Sequence, residues 1–208
     1  MRKVKKMENK KEVRMLCQEF KALENEEGKL IIEGYAVVFN SPATHGYTEI
    51  ISAHALDNCD MSDVVLRYNH NDSFIVLART RNHSLTLTVD SIGLKIRAEL
   101  QKDITDHVNV YNAIKSQLID KQSFAFTVRG DSYDYDSDTR IITDIDRLYD
   151  VSVVDQPFYS TTDISTSRGV INDDFIARRK QLREDYEREQ EYQKELTAAK
   201  REILEKLG

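Results

Sequence analysis

The sequence predicts an α+β chain: a mainly antiparallel, barrel-like β core with flanking helices, followed by one long C-terminal helix. Three observations lead there. Residues 15–168 are rich in short β-branched and aromatic runs separated by turn residues. Within them, residues 85–89 and 94–98 alternate apolar and polar side chains with period two. Residues 172–207 are instead dense in charge and helix formers, with no internal Gly or Pro.

The elements follow in order. Residues 1–14 carry Arg2, Lys3, Lys5, Lys6, Lys10, Lys11 and Arg14 against Glu8 and Glu12, on a chain whose net charge is −6. They read as a basic, disordered arm on an acidic body, either solvated or meeting an acidic partner. No aromatic residue interleaves the arm to stack on bases, so nucleic-acid binding is disfavoured. Residues 30–39 read as a strand broken at Gly34 and ended by Asn40-Ser41-Pro42. Residues 52–59 suit a short helix with Ser52 as N-cap. Residues 64–68 form a strand that runs into Asn69-His70-Asn71-Asp72. Asp90-Ser91-Ile92-Gly93 is a hairpin turn between the two alternating strands. Val108, Tyr111, Ile114, Leu118 and Ile119 recur at helical spacing, which predicts an amphipathic helix over 104–119. Residues 123–128 and 140–148 read as strands around a polar connection, and 151–154 as another. So many short strands suit a partly closed barrel. From Asp173, steps of four and three give Phe175, Arg179, Leu182, Tyr186, Glu189, Gln193, Leu196, Lys200, Ile203 and Leu207. Six of these ten are apolar, so the tail reads as a long charged helix that is either solvated alone or pairs weakly with itself or a scaffold partner.

Composition narrows the class. No run approaches the ~20 apolar residues that span a bilayer, and mean hydropathy is −0.56. The basic N-terminus has no apolar core of a secretory signal. Cys17 and Cys59 cannot make a disulfide framework or a zinc site alone, and read as free core thiols in a reducing compartment.

Among motifs that carry chemistry, the acidic run from Asp131 to Asp138 fails as a calcium loop. Counted from Asp134, position six is Thr139 instead of Gly, and position twelve is Ile145 instead of Glu. It reads as a solvated hairpin tip. His45, His54, His70, His83 and His107 show no metallohydrolase spacing, and there is no Gly-x-Ser-x-Gly elbow or phosphate loop. What remains is a histidine at a strand end (His70), a serine opening an aromatic strand (Ser123), and an acid before an apolar strand (Asp150). A serine nucleophile needs a base and the base an orienting group, but the three need not be neighbours in sequence.

The order of several short blocks resembles the tailed-bacteriophage prohead protease family, serine endopeptidases of the herpesvirus-assemblin type. The blocks run from Glu33-Gly34-Tyr35-Ala36-Val37-Val38-Phe39-Asn40 and Tyr47-Thr48-Glu49-Ile50-Ile51 to Tyr68-Asn69-His70-Asn71 and Leu77-Ala78-Arg79-Thr80. They continue through Gln122-Ser123-Phe124-Ala125-Phe126, Leu148-Tyr149-Asp150-Val151-Ser152-Val153-Val154, Gln156-Pro157-Phe158-Tyr159 and Thr162. The resemblance implies a β-barrel protease that needs no cofactor or metal. It would cleave the scaffolding segment of the major capsid protein, and itself, inside the procapsid in the host cytoplasm. It maps the histidine to His70 and the serine to Ser123. It puts Asp150 where the family commonly has Glu. The donors for the oxyanion are not visible in the sequence, and Arg79 is a candidate for that support, directly or by positioning water. Lys121 and Ala125 stand where the family often has glycines, and Leu-Ala-Arg-Thr replaces Leu-Gly-Arg-Thr. The alternative is a non-catalytic scaffolding or assembly module that acts through the C-terminal helix.

Overall fold

The computed structural model describes residues 11–16, 21–24, 28–44, 46–155 and 173–207. Residues 1–10 of the expected arm, Cys17, His45 and the blocks at 156–162 lie outside the described residues. The chain divides into two units, residues 1–171 and 172–208.

In the first unit the β-rich runs form β1 (Glu12–Leu16), β2 (Lys21–Glu24), β3 (Leu30–Val38), β4 (Ala43–Thr44), β5 (Thr48–Ile51), β6 (Val65–Tyr68), β7 (Ala78–Arg79), β8 (Leu85–Val89) and β9 (Gly93–Leu100). Helix α1 (Thr105–Lys115) precedes β10 (Lys121–Asp134) and β11 (Thr139–Val154). One sheet runs β2-β3-β9-β8, antiparallel throughout. The other runs β1-β10-β11-β5-β4, with β6 also on β11 and β7 on β6. Strand β11 is its spine. One edge pairs antiparallel with β10, while the other takes β5 at its start and β6 at its end, both parallel. Among the described residues these strands form two sheets, one of them mixed, and neither closes into the barrel expected from the sequence. The parallel pairings join segments far apart in sequence, which local alternation does not reveal.

Other elements depart from expectation for local reasons. Residues 12–14, placed in the arm by their charge, are in β1, paired with β10. Strand β3 runs through Gly34, which pairs with Ile96; the irregularity falls one step later, between Tyr35 and Val37. The glycine that geometry demands is Gly93, where a Cβ would lie 1.9 Å from the Val37 carbonyl oxygen. Residues 52–59 are successive turns, not a helix. The Ala55 carbonyl, which a helix would offer to Cys59, instead accepts from the Ile145 N–H at 2.7 Å. Helix α1 stops at Lys115 because Gln117 turns left-handed (φ 60°), which leaves Leu118 76% exposed. The two strands expected over 140–154 are one, and β10 extends to Asp134. The turn at 90–93 forms as expected: Asp90 accepts from the Ile92 and Gly93 N–H groups at 2.8 and 3.0 Å. So does the acidic hairpin tip, where Asp134 accepts from the Asp136 N–H and the Ser137 hydroxyl.

The core holds Ile32, Leu66, Leu77, Leu94, Ile96, Phe124, Phe126, Ile142, Ile145 and Leu148, all essentially inaccessible. Phe124 and Phe126 stack with ring centroids 5.0 Å apart. Burial of side chains this size contributes about 1.5–3 kcal/mol each, and it fixes the strand on which Ser123 lies.

The second unit is α2 (Asp173–Leu207), 35 residues of helix, about 52 Å long. Its exposed surface carries i,i+3 and i,i+4 pairs such as Arg188 with Asp185 and Arg183 with Glu187. No helix among the described residues is long and apolar enough to cross a membrane.

Candidate active site

The long β10–β11 hairpin sets up the site. Its register places Ser123 opposite Ser152 and Ala125 opposite Asp150, so these residues share one face. The parallel pairing of β6 with β11 ends at Tyr68 opposite Val153. The chain then turns sharply, with Asn69 and His70 both left-handed at φ 52° and 50°. That conformation costs an L-residue about 1–2 kcal/mol. It is held by the Asn69 N–H on the Val153 carbonyl (2.9 Å), the Asp155 N–H on Asn69 Oδ1 (3.2 Å) and the His70 N–H on Ser152 Oγ (3.1 Å). The imidazole is thereby turned back over the hairpin.

The structure brings three of the sequence-nominated side chains into one hydrogen-bonded row. His70 Nε2 lies 2.5 Å from Ser123 Oγ, and His70 Nδ1 makes a short contact with Asp150 Oδ1. Ser123 and Asp150 are buried, while the histidine side chain keeps 21% of its surface exposed. Burial alone would push the Asp150 carboxyl up. The His70 hydrogen bond and charge and the Lys11 ammonium more than offset this and hold it below the usual carboxylate range. An ionised Asp150 only accepts, so Nδ1 carries the proton and Nε2 presents its lone pair to Ser123. Such a row can take a proton from a hydroxyl and return it.

Strand β1 and Lys11, the residue just before it, contribute contacts that the sequence reading missed. Lys11 Nζ donates to Asp150 Oδ2 at 2.9 Å, and Ser123 Oγ donates to the Arg14 carbonyl at 2.9 Å. The serine hydroxyl has one proton and two acceptors, Arg14 O and His70 Nε2. Its transfer to the imidazole requires release from the carbonyl. Beneath β1 lies a buried charge network. Arg14 and Arg140 donate to both Glu12 and Glu49, and Arg140 also to Asp131 at 2.8 Å. Against the cost of burial, these carboxylates raise both guanidinium pKa values above the ordinary arginine range. Nearby, burial pushes the Tyr47 phenol up to about 12. The only local signal of this network was the Glu-x-Arg alternation at 12–14.

Arg79 is not part of the row. Its Nε and a terminal nitrogen donate to the two Asp63 oxygens at 2.5 and 2.6 Å. No hydrogen bond among the described residues joins it to His70, Ser123 or Asp150. It does flank the site through strand pairing, since Val65 pairs with Asp150 on one side and Arg79 on the other. His107 is a structural histidine: Nδ1 accepts from the Gln101 N–H and Nε2 donates to the Val76 carbonyl. Cys59 is half-buried with its thiol pushed up to about 11 by burial, a poor nucleophile. Among the described residues no group of three His, Cys, Asp or Glu is placed to hold a metal ion.

A family model described as caudovirus prohead serine protease matches residues 18–173. No curated protein sequence matches the chain. Among solved structures, the bacteriophage T4 capsid assembly protease gp21 is similar at 12% sequence identity and a TM-score of 0.49. The match covers 70% of this chain and 99% of that one.

Proposed function

The chain belongs to the caudovirus prohead serine protease family, and from that premise we propose that it is a maturation endopeptidase acting through Ser123, His70 and Asp150. The observation that supports this most is the His70 ring, within hydrogen-bond reach of Ser123 on one side and Asp150 on the other. Ser123 Oγ attacks the scissile carbonyl carbon as His70 Nε2 takes its proton, and the carbonyl electron pair moves onto oxygen. Collapse of the tetrahedral species breaks the C–N bond, and the Nε2 proton goes to the leaving amine. Water, deprotonated by the same imidazole, then hydrolyses the acyl-enzyme. Asp150 holds the Nδ1–H tautomer and stabilises the imidazolium. Arg79 supports the site by fixing the β6–β7 pair that leads into the His70 turn.

The substrates in this reading are the scaffolding segment of the major capsid protein and the enzyme itself, inside the procapsid. Helix α2 is then a delivery arm for scaffold binding or weak self-association, given its charged surface and interrupted apolar seam. Co-expression with the capsid–scaffold precursor, read by intact mass, tests the proposal. Wild type releases defined fragments, and Ser123→Ala leaves the precursor whole. Equal processing by both would mean that Ser123 is not the nucleophile, and assembly support with no cleavage by either would favour a scaffolding role instead. A chain ending at Arg168 should still cleave but fail to enter assembling capsids. Its aggregation would make α2 part of the catalytic unit.

A further inference from the structure

Ser152 takes no part in the reaction as written, yet its hydroxyl touches both partners of the His70–Asp150 pair. Its Oγ lies 3.1 Å from the His70 backbone nitrogen, 3.1 Å from His70 Nδ1 and 3.2 Å from Asp150 Oδ1. The residue is completely buried. It sits two positions beyond Asp150 on β11 and opposite Ser123 in register, so all three side chains face the imidazole.

The hydrogen-bond roles follow from what each group can do. A hydroxyl has one proton and two lone pairs. The His70 backbone N–H only donates, so Ser152 Oγ accepts from it. The ionised Asp150 carboxylate only accepts, so the Ser152 proton goes to Oδ1. With its proton on Oδ1 the hydroxyl does not compete for Nδ1, which carries its own proton toward Asp150; unprotonated, it would face Asp150 as acceptor against acceptor. The same hydroxyl also satisfies the N–H of a residue held left-handed at φ 50°. We infer that Ser152 is a positioning residue that fixes the His70 backbone directly and its tautomer through the Asp150 carboxylate it steadies, so that Nε2 meets Ser123 with a free lone pair. This inference rests on the protease reading above and adds a member to its machinery.

The test uses the full chain with ¹⁵N-labelled histidine, and His70→Gln identifies the His70 ring signals. Wild type should show the proton on Nδ1. In Ser152→Ala and in the size-matched Ser152→Cys, which lacks a strong hydrogen-bonding hydroxyl, that signal should weaken or shift. Cleavage of the capsid–scaffold precursor should lose roughly 10–100-fold in kcat in both variants, as a modest misplacement of a catalytic group does. KM should stay within about twofold and melting be little changed. A Ser152→Cys chain with wild-type kcat and an unchanged Nδ1 signal would overturn the inference, as would a wild-type spectrum without the Nδ1 proton. Should Ser152→Ala fold poorly, the Cys variant and the wild-type spectrum decide. Continued cleavage by Ser123→Ala would instead overturn the assignment of Ser123 as nucleophile, leaving the spectra to judge Ser152 alone.

Discussion

The buried network under β1 makes an asymmetric prediction. Arg14 and Arg140 face Glu12, Glu49 and Asp131, two cations against three anions. Glu49→Gln leaves two of each, all with partners, and loses only charge-assisted hydrogen bonds at about 1.5–3 kcal/mol. Arg140→Met leaves Glu12 and Glu49 to share the one guanidinium of Arg14 and strips Asp131 of the Arg140 Nε donor. Removing one partner of a buried ion set typically costs about 3–5 kcal/mol, because the remaining charge is uncompensated. Arg140→Met should therefore be the worse of the two, lowering melting by about 6–20 °C for a unit of this size. Urea unfolding of the full chain with its slope monitored measures both. An Arg140→Met loss below about 1 kcal/mol, or a larger loss for Glu49→Gln, would refute the reasoning.

Further outcomes follow from other contacts. Gly93→Ala should destabilise by about 3 kcal/mol or more, since its Cβ would meet the Val37 carbonyl at 1.9 Å; thermal melting checks it. Asp150 is held below its unfolded value, so its contribution is present above the ordinary carboxylate pKa near ~3.9 and is lost as pH falls through the lower folded value. Acid unfolding of Asp150→Asn should accordingly show a shallower loss of stability below about pH 4 than wild type. Cys59, with its thiol near 11, should react with iodoacetamide at pH 8 about 100-fold more slowly than a free thiol, measured by intact mass in Cys17→Ser.

What the sequence showed, and what it hid, divides along physical lines. Residues 85–100 were legible because alternation and an Asp-x-x-Gly turn are local, and the structure reproduces them. Strand β1 was hidden because Glu12 and Arg14 are charged. Their burial depends on Arg140 and Glu49, which lie 128 and 35 residues away in the chain. Residues 52–59 have helical composition, but the sheet takes the carbonyl a helix would need. The mixed sheet follows from parallel pairing of β5 and β6 with β11, which no local pattern encodes. For the site, residue types alone left His70, Ser123 and Asp150 an ordinary trio, and the order of the blocks around them made them candidates. Ser152 was within reach of sequence reasoning, since two residues along a strand from Asp150 means the same face.

The central claim is that Ser123 and His70 act as one chemical unit. A cycle of Ser123→Ala, His70→Ala and the double variant, each assayed for precursor cleavage rate with melting as the fold control, tests it most directly. Groups that share one mechanism lose nearly everything with the first removal, typically ~10⁴-fold or more. The account predicts that both single variants fall to a similar floor and that the double variant lies within a few-fold of either. Two partial losses that multiply in the double variant, or cleavage that persists in Ser123→Ala, would contradict it.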